Sequence, residues 1–375
     1  MKVIQVIDSF ETGGGVNSFV YDMCFALKEI GCDVSLVGIM DSGYDGNPLI
    51  DELRHQGVRV ECLGAKSKKD AILFHIRGLR KIISSIADNN KTICNLHLKL
   101  SVLMGVLATI HLKNVKCVET YHNTYHHYHV QCWFCSPFIK KYITVSEKAK
   151  EEMHSRFRIS SGRIIAIPNG VSRDTIRKKA AGKTQKPNDD VIRLVSVGRM
   201  SYEKNFSTPV SAYKTMCCEK VKYLLVGDGP QKSVICDLSK DNPYIAFLGS
   251  LPREEALQTL ATADIVVLPS LWEGRSILQL EAMALDKPMV LSDVPGLREP
   301  FHESALGSNE LFRVCKFGYL VHTKRTESYR AALNDFINNR KRDFSSYISE
   351  VSKENDISIT AQKYMQQYNE LFKPF

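Results

Sequence analysis

Two glutamates, Glu273 and Glu281, lie eight residues apart in WEGRSILQLEAMALDKP, around the turn Gly274-Arg275-Ser276. Paired acids can cleave a glycosidic bond, hold a metal ion, or grip the hydroxyls of a ligand. The apolar run Ile265 to Leu268 before them reads as a strand, and SILQLEAMAL reads as a helix. Glu273 then follows a strand end, and Glu281 falls in the first turns of the helix. The turn leaves the backbone N–H groups of Gly274 to Ile277 at the helix start, where an anion is favoured. Carboxylates for sugar hydroxyls beside amides for phosphate suit a nucleotide-sugar. The competing reading of Glu281 is an ordinary solvated helix residue.

Other segments add candidates. VGRMSYEKN sets Arg199 and Lys204 after the strand-like LVSV. A fixed guanidinium with a mobile ammonium can clamp a diphosphate, although charges at strand ends are usually just solvated. LLVGDGP ends a strand at Gly227, and such a turn is often purely structural. ETGGGVNSF places Gly13, Gly14 and Gly15 between a strand and a helix start. Its free amides suit an anion, although it is not G-x-G-x-x-G and a plain tight turn competes. His122 directly follows the strand-like KCVETY. Beyond it crowd His126, His127 and His129, then Cys132-x-x-Cys135. A single C-x-x-C beside crowded histidines is a poor zinc pattern, and no metal is expected.

The elements that must position these residues alternate. KVIQVID is a strand, VNSFVYDMCFALKEIG has helical spacing with Phe19, Met23, Ala26, Leu27 and Ile30 on one face, and DVSLVGI is a strand. Gly31 fits the helix stop. This β-α-β unit requires a parallel sheet. KTICNLH, VKCVETYH and KYITVS continue it. RKKAAGKTQKPNDD, from Arg177 to Asp190, reads as a linker. Then VIRLVSVGRM, VKYLLVGDGP, YIAFLGS, ADIVVLPS and KPMVLSD form a second series. Two doubly wound α/β domains follow, 1–178 and 190–355. Ligands of such sheets sit at the C-terminal strand ends, and a cleft between the domains is the expected site.

Length and composition agree. A chain of 375 residues exceeds one ordinary core, and 44% hydrophobic content excludes disorder. The 11 scattered cysteines read as reduced thiols of a cytosolic protein. The N-terminus reads as a first strand rather than a signal peptide, and the longest apolar run, Val102 to Ile110, is too short to span a bilayer. Residues 1–190 hold 27 Lys and Arg against 19 Asp and Glu; residues 191–375 hold 23 against 22. The basic first half suits an anionic partner or is simply a solvated surface with surplus lysine. AKSKKDAILFHIRGLRKII, Ala65 to Ile83, reads either as an interfacial helix or as a packing helix with a wet basic face.

Taken together these segments resemble the retaining glycosyltransferases of family 4, which have the two-domain GT-B fold. The resemblance rests on GGGVNSF, His122, ITVSEKAKEEM, IPNGVS, VGRMSYEKN, LLVGDGP, FLGSLPREEALQTLATADIVVLPS and EGRSILQLEAMALDKPMVLSD. Glu273 and Glu281 match the family's E-x7-E motif. The resemblance implies that Arg199 and Lys204 bind the donor diphosphate and stabilise the departing nucleotide. It gives Glu281 the ribose hydroxyls, Glu273 and His122 the donor sugar, and Gly14 and Gly15 the donor phosphates and acceptor. Gly227, Gly274, Arg275, Ser276 and Ile277 complete the expected donor-binding set. Many members have Phe-Gly where Arg275 and Ser276 stand, so Arg275 is expected to add a donor or acceptor contact.

The resemblance also implies a last helix near 356–375 packed on the first domain. The expected reaction is metal-independent hexosyl or N-acetylhexosaminyl transfer, with a UDP- or GDP-linked sugar as donor and no cofactor. The acceptor is expected to be a glycan or a lipid-linked glycan, the place cytoplasmic or the cytoplasmic membrane face, and no nucleic acid is involved. Rival readings are a nucleotide-sugar epimerase of the same fold, a glycoside hydrolase using Glu273 and Glu281, and a non-catalytic binding module.

Overall fold

Strands covered by helices on both faces read as near-continuous apolar runs, and KVIQVI, interrupted only by Gln5, is one: every residue after Lys2 is buried. In the computed structural model, which describes residues 1–11, 14–122, 129–182, 190–216 and 219–373 (without the side chains of 129–131), this run is β1 (Lys2–Ile7). It is followed by β2 (Asp33–Met40), β3 (Arg59–Ala65), β4 (Thr92–Leu96), β5 (Val115–Tyr121), β6 (Ile139–Thr144) and β7 (Ile164–Ala166). They form a parallel sheet in the order β3-β2-β1-β4-β5-β6-β7. The order reverses between β1 and β4, the switch point where an open parallel sheet leaves a crevice.

The helix Gly15–Glu29 buries Phe19, Met23, Ala26 and Leu27 on the sheet. Ile30 is its C-cap and is 38% exposed, so it drops out of the apolar stripe. Gly31 ends the helix with φ +83°, a left-handed turn that glycine adopts freely. The helix Ile357–Glu370 belongs to the same compact unit, which comprises Met1–Gly170 and Ile357–Phe375. Its Tyr364 and Tyr368 are fully buried, and Tyr364 lies 6.3 Å from Phe19, ring to ring. Burying one large apolar side chain stabilises a fold by roughly 1.5–3 kcal/mol, so this helix is an integral part of that core.

The second unit is Val171–Asp356. Its strands are β8 (Ile192–Val197), β9 (Val221–Val226), β10 (Ile245–Gly249), β11 (Ile265–Leu268), β12 (Met289–Ser292), β13 (Phe312–Cys315) and β14 (Gly318–Val321). The order is β10-β9-β8-β11-β12-β14-β13, parallel except for β13 against β14. Here the switch point lies between β8 and β11.

The expected linker differs from what the chain does. Arg173–Ala180 is a helix of the second unit, capped by Ser172, whose hydroxyl accepts from the Thr175 amide. Arg177, read as the start of the linker, donates to the Ala284 carbonyl at 2.8 Å and pairs with Asp286. The unit boundary therefore falls at Val171, which pairs with Asp356 in an isolated parallel bridge where the chain leaves the unit. Residues 183–189 of the expected linker lie outside the described residues. Among the described residues no helix is long and apolar enough to cross a membrane.

Candidate functional site

In the second unit, three loops meet at the C-terminal strand ends around the switch point. After β8 the chain runs through Gly198 and Arg199 into a 3-10 turn, Tyr202–Lys204. After β9 it turns at Gly227 with φ +130°, and an added Cβ there would lie 1.9 Å from the Gly198 carbonyl oxygen. Only glycine lets these two loops touch, because any side chain would meet backbone. The Met200 amide donates to the Asp228 carbonyl at 2.9 Å and holds them together. The loop after β11 is tied in by the Leu271 amide, which donates to the Glu203 carbonyl at 2.8 Å.

That tie brings Lys204 and Glu273 together across the switch point. Lys204 Nζ pairs with Glu273 Oε1, and the same oxygen accepts from Ser270 Oγ at 2.8 Å. The carboxylate is mostly covered, 11% exposed, while the ammonium is 30% exposed. Arg199 is exposed and makes no ion pair among the described residues. At these strand ends Arg199 is thus exposed and outside any ion pair among the described residues, and Lys204 is balanced by Glu273, while Asp228 is taken up by Lys232 and Glu203 accepts from Ser201 Oγ. Such a group accepts an anion at little structural cost, since Glu273 keeps Ser270 as partner if Lys204 turns to a ligand.

Glu281 lies on the helix Ile277–Ala284 and pairs with Arg253 at 3.3 Å; both side chains are nearly covered, at 13% and 15% exposed. It is therefore not the freely solvated helix residue of the competing sequence reading. Ser276 is buried as that helix's N-cap, its hydroxyl accepting from the Gln279 amide at 3.3 Å. Ile277 is buried as well. Gln279 Nε2 donates to the Leu297 carbonyl at 2.7 Å, and a Cβ on Gly296 would fall 2.2 Å from the Glu273 carbonyl oxygen. The Glu273-Gly274 backbone thus rests directly on the helix Pro295–Arg298.

Arg275 is where the structure departs furthest from expectation. Its side chain is turned into the protein, 8% exposed, and its Nη2 donates to Asn355 Oδ1. Its Nε has no partner among the described residues. Burial pulls the guanidinium down to about 10, with Glu299 opposing. So placed, the side chain ties the turn to Asn355. The Ser276 hydroxyl is likewise spent on its own helix.

The first unit places Gly14 at the N-cap of Gly15–Glu29 and Gly15 at its first position, both exposed. Gly13 lies outside the described residues. A side chain added at Gly14 would meet nothing within 4 Å. Asn17 Nδ2 fixes this loop by donating to the carbonyls of Ser9 at 3.0 Å and Glu11 at 2.7 Å. His122 follows β5 as expected but is 4% exposed, edge-on to Phe19 with ring centroids 5.4 Å apart. Burial pulls it down to about 3, so it is a neutral imidazole.

Of the crowded histidines, His126 and His127 lie outside the described residues, as does the side chain of His129. Cys132 and Cys135 are buried, and burial pushes both thiols up to about 12, away from thiolate ligands. Among the described residues no three His, Cys, Asp or Glu side chains gather as a metal site.

Sequence reasoning missed several supporting groups. His97 ends β4 as His122 ends β5, and Gln5 and Asn95 are buried polar residues inside apolar strands. That polarity was the available signal. Asn205, at φ +51°, donates from Nδ2 to the carbonyls of Pro269 at 3.0 Å and Thr323 at 2.7 Å, holding the Lys204 turn to two other loops. Arg253, partner of Glu281, carried no signal beyond its charge.

Comparison with known proteins follows the two units. Residues 177–354 match the family model Glycosyl transferases group 1, and residues 13–175 match Glycosyltransferase Family 4. A 171-residue stretch is 30% identical to an uncharacterized glycosyltransferase of Methanocaldococcus jannaschii, covering 42% of this chain and 43% of that protein. The chain is 26% identical to a phosphatidylinositol N-acetylglucosaminyltransferase component of Arabidopsis thaliana, over 80% of this chain and 69% of that one. The match thus spans less than half of the first relative. Among solved structures, Anabaena HepE in complex with UDP and glucose superposes with a TM-score of 0.79 at 15% identity, covering 99% of this chain and 100% of the other. A glycosyltransferase from Rickettsia africae superposes with 0.76 at 18% identity, covering 100% and 99%.

Proposed function

From a chain built as a group 1 glycosyltransferase of the GT-B fold, we propose that the protein moves a sugar from a nucleotide-diphosphate-sugar to a glycan or lipid-linked acceptor with retention at the anomeric carbon. The observation that carries this reading is the Lys204–Glu273 pair across the second unit's switch point, with Arg199 beside it and outside any ion pair among the described residues. Lys204 and Arg199 bind the diphosphate and stabilise the charge that grows on it as the glycosidic bond breaks. Glu273, released from Lys204, accepts from donor-sugar hydroxyls, and Glu281 accepts from ribose hydroxyls. Gly14, Gly15, Gly227, Gly274 and Ile277 contribute backbone. Arg275 and Ser276 hold the turn in place. The cations carry the leaving-group charge without a metal ion. UDP or GDP is the proposed nucleotide; UDP is favoured by the fold likeness to a UDP complex.

A membrane-borne acceptor fits the basic first unit. Of Ala65 to Ile83, Lys66 pairs with Asp41 and Arg80 donates to the carbonyls of Leu107 and Ala108. Arg80 is thus taken up by the fold, while Lys66 is 80% exposed in a surface pair. Leu73 and Phe74 at the end of the helix Lys68–Phe74 are 60% and 75% exposed, and we assign the contact to them with Lys68, Lys69 and Lys81. Flotation with anionic liposomes tests this, and no binding removes membrane contact from the reading.

The reaction itself is tested by incubating the protein with labelled UDP- and GDP-sugars and lipid-linked or oligosaccharide acceptors. The expected product carries the donor's anomeric configuration by NMR. Inversion would refute retention. Isomerised nucleotide-sugar, or hydrolysis of aryl glycosides without transfer, would favour the epimerase or hydrolase.

A further inference from the structure

His97 is a residue to which nothing above assigns a role. It follows β4 at the first unit's switch point and is 2% exposed. Its Nε2 lies 2.6 Å from Gln5 Oε1, and its Nδ1 lies 2.9 Å from His122 Nε2. Gln5 Oε1 also accepts from Asn95 Nδ2 at 2.9 Å, while Asn95 Oδ1 accepts from Thr120 Oγ1 at 3.0 Å. Phe19 closes the apolar side of both rings. Two imidazoles buried at this distance are both neutral, since among the described residues neither has a carboxylate partner to support a charge.

A neutral imidazole has one N–H and one bare nitrogen, and its partners decide which is which. His97 Nε2 has two neighbours, Gln5 Oε1 at 2.6 Å and Asn95 Nδ2 at 3.2 Å; the nearer can only accept, and the Asn95 amide already donates to that same oxygen, so the proton of His97 is on Nε2. His97 Nδ1 is therefore bare and accepts. His122 Nε2 must then carry its proton and donate to His97. The remaining nitrogen of His122, Nδ1, is left with its lone pair.

We propose that His97 is a positioning residue that fixes His122 in the Nε2–H tautomer, so that His122 offers a bare Nδ1 acceptor to a donating hydroxyl of the sugar. This rests on the glycosyl-transfer reading for its consequence, though not for the tautomer. It explains why two histidines are buried at the ends of adjacent strands.

The test is nitrogen-15 NMR of histidine-labelled protein at neutral pH, with and without a UDP-sugar, on wild type, His97→Asn and His97→Phe. In wild type, His122 is expected to show a protonated Nε2 and a bare Nδ1. His97→Asn keeps an acceptor oxygen near the lost Nδ1 and retains the tautomer and most of the activity. His97→Phe keeps the ring but removes the acceptor. It is expected to give mixed His122 tautomers and to lower kcat/KM for transfer on the order of 10-fold to 100-fold, as when an outer partner of a functional histidine is lost. UDP affinity stays unchanged, because its grip is in the second unit. A protonated Nδ1 in wild-type His122 overturns the proposal, even if both variants fail to fold. A folded His97→Phe with wild-type kcat/KM also overturns it. If no sugar is transferred by any form, the tautomer result still stands or falls alone, and the glycosyl-transfer reading is what fails.

Discussion

The two switch points hold their polar groups in opposite ways. In the second unit they are charged and partly open: Arg199 is exposed, Lys204 faces Glu273, and Arg253 faces Glu281. In the first unit they are neutral and closed: Gln5, Asn95, His97 and His122 are each under 5% exposed and joined by hydrogen bonds. Charges buried without water are costly unless paired, whereas neutral amides and imidazoles can be buried when hydrogen-bonded, and of this network's wholly covered side-chain atoms only Gln5 Nε2 lacks a partner among the described residues. The second unit is thus suited to receive an anion, and the first to present a group of fixed shape.

This contrast can be broken at named residues. The largest effect is expected for Lys204→Met. Loss of a preorganised cation at developing charge costs about 3–4 kcal/mol of transition-state stabilisation, or roughly two to three orders of magnitude in kcat. Steady-state kinetics with saturating donor check it, and a loss under tenfold would remove Lys204 from the chemistry. Glu273→Gln sharpens the same pair. It takes away the acid that neutralises Lys204, so nucleotide diphosphate binding is expected to hold or tighten while transfer falls on the order of 10²-fold. Weakened UDP binding in this variant would mean that Glu273 serves the diphosphate loops structurally.

The first unit is probed through pH. Burial sets both His97 and His122 below the ordinary histidine value, His122 at about 3. The unfolded chain takes up those protons as pH falls through about 6.5, while the folded chain does not. Stability is therefore full above that pH and is lost below it, by up to roughly 1.4 kcal/mol per pH unit for each histidine. Urea unfolding at pH 7 and 5.5 should show a shallower loss in His97→Phe, by one histidine's contribution. Equal slopes would mean that the pair is not buried neutral.

The smallest effect is expected at Arg275. Its guanidinium is buried, with Nε unpartnered among the described residues, so Arg275→Met removes a desolvated charge at similar volume. Removal of a buried charge that has no ion-pair partner among the described residues is expected to leave stability unchanged or raise it. A thermal melt lowered far below wild type would show that the Asn355 contact contributes more than its geometry suggests.

Much of this was legible in the sequence, for physical reasons. Parallel strands buried on both faces are rich in apolar residues, so β1, β5, β8, β9 and β11 stood out despite single polar residues such as Gln5, Glu119 and Arg193. β3, with Glu61 and only partly buried residues over 61–64, did not; nor did β7, three residues long, or the β13–β14 hairpin. The Arg177–Asp190 stretch looked like a linker because charge hides amphipathicity. Yet Ile176 and Ala180 are buried and the arginines reach the carbonyl and carboxylate of a neighbouring helix end.

In the site, strand-end charges were readable because their spacing places them. What Arg275 does was not, since direction depends on Asn355, eighty residues on. His97 was missed because its meaning lies in Gln5 and His122, which only the sheet order brings beside it.

The central claim is that the second unit's open charges grip a nucleotide diphosphate. Calorimetric titration of UDP and GDP into wild type, Arg199→Met/Lys204→Met and Arg275→Met tests it most directly. One nucleotide should bind wild type and Arg275→Met alike, and the double variant should bind at least 100-fold more weakly, about 2.7 kcal/mol. Equal affinity of the double variant would contradict it.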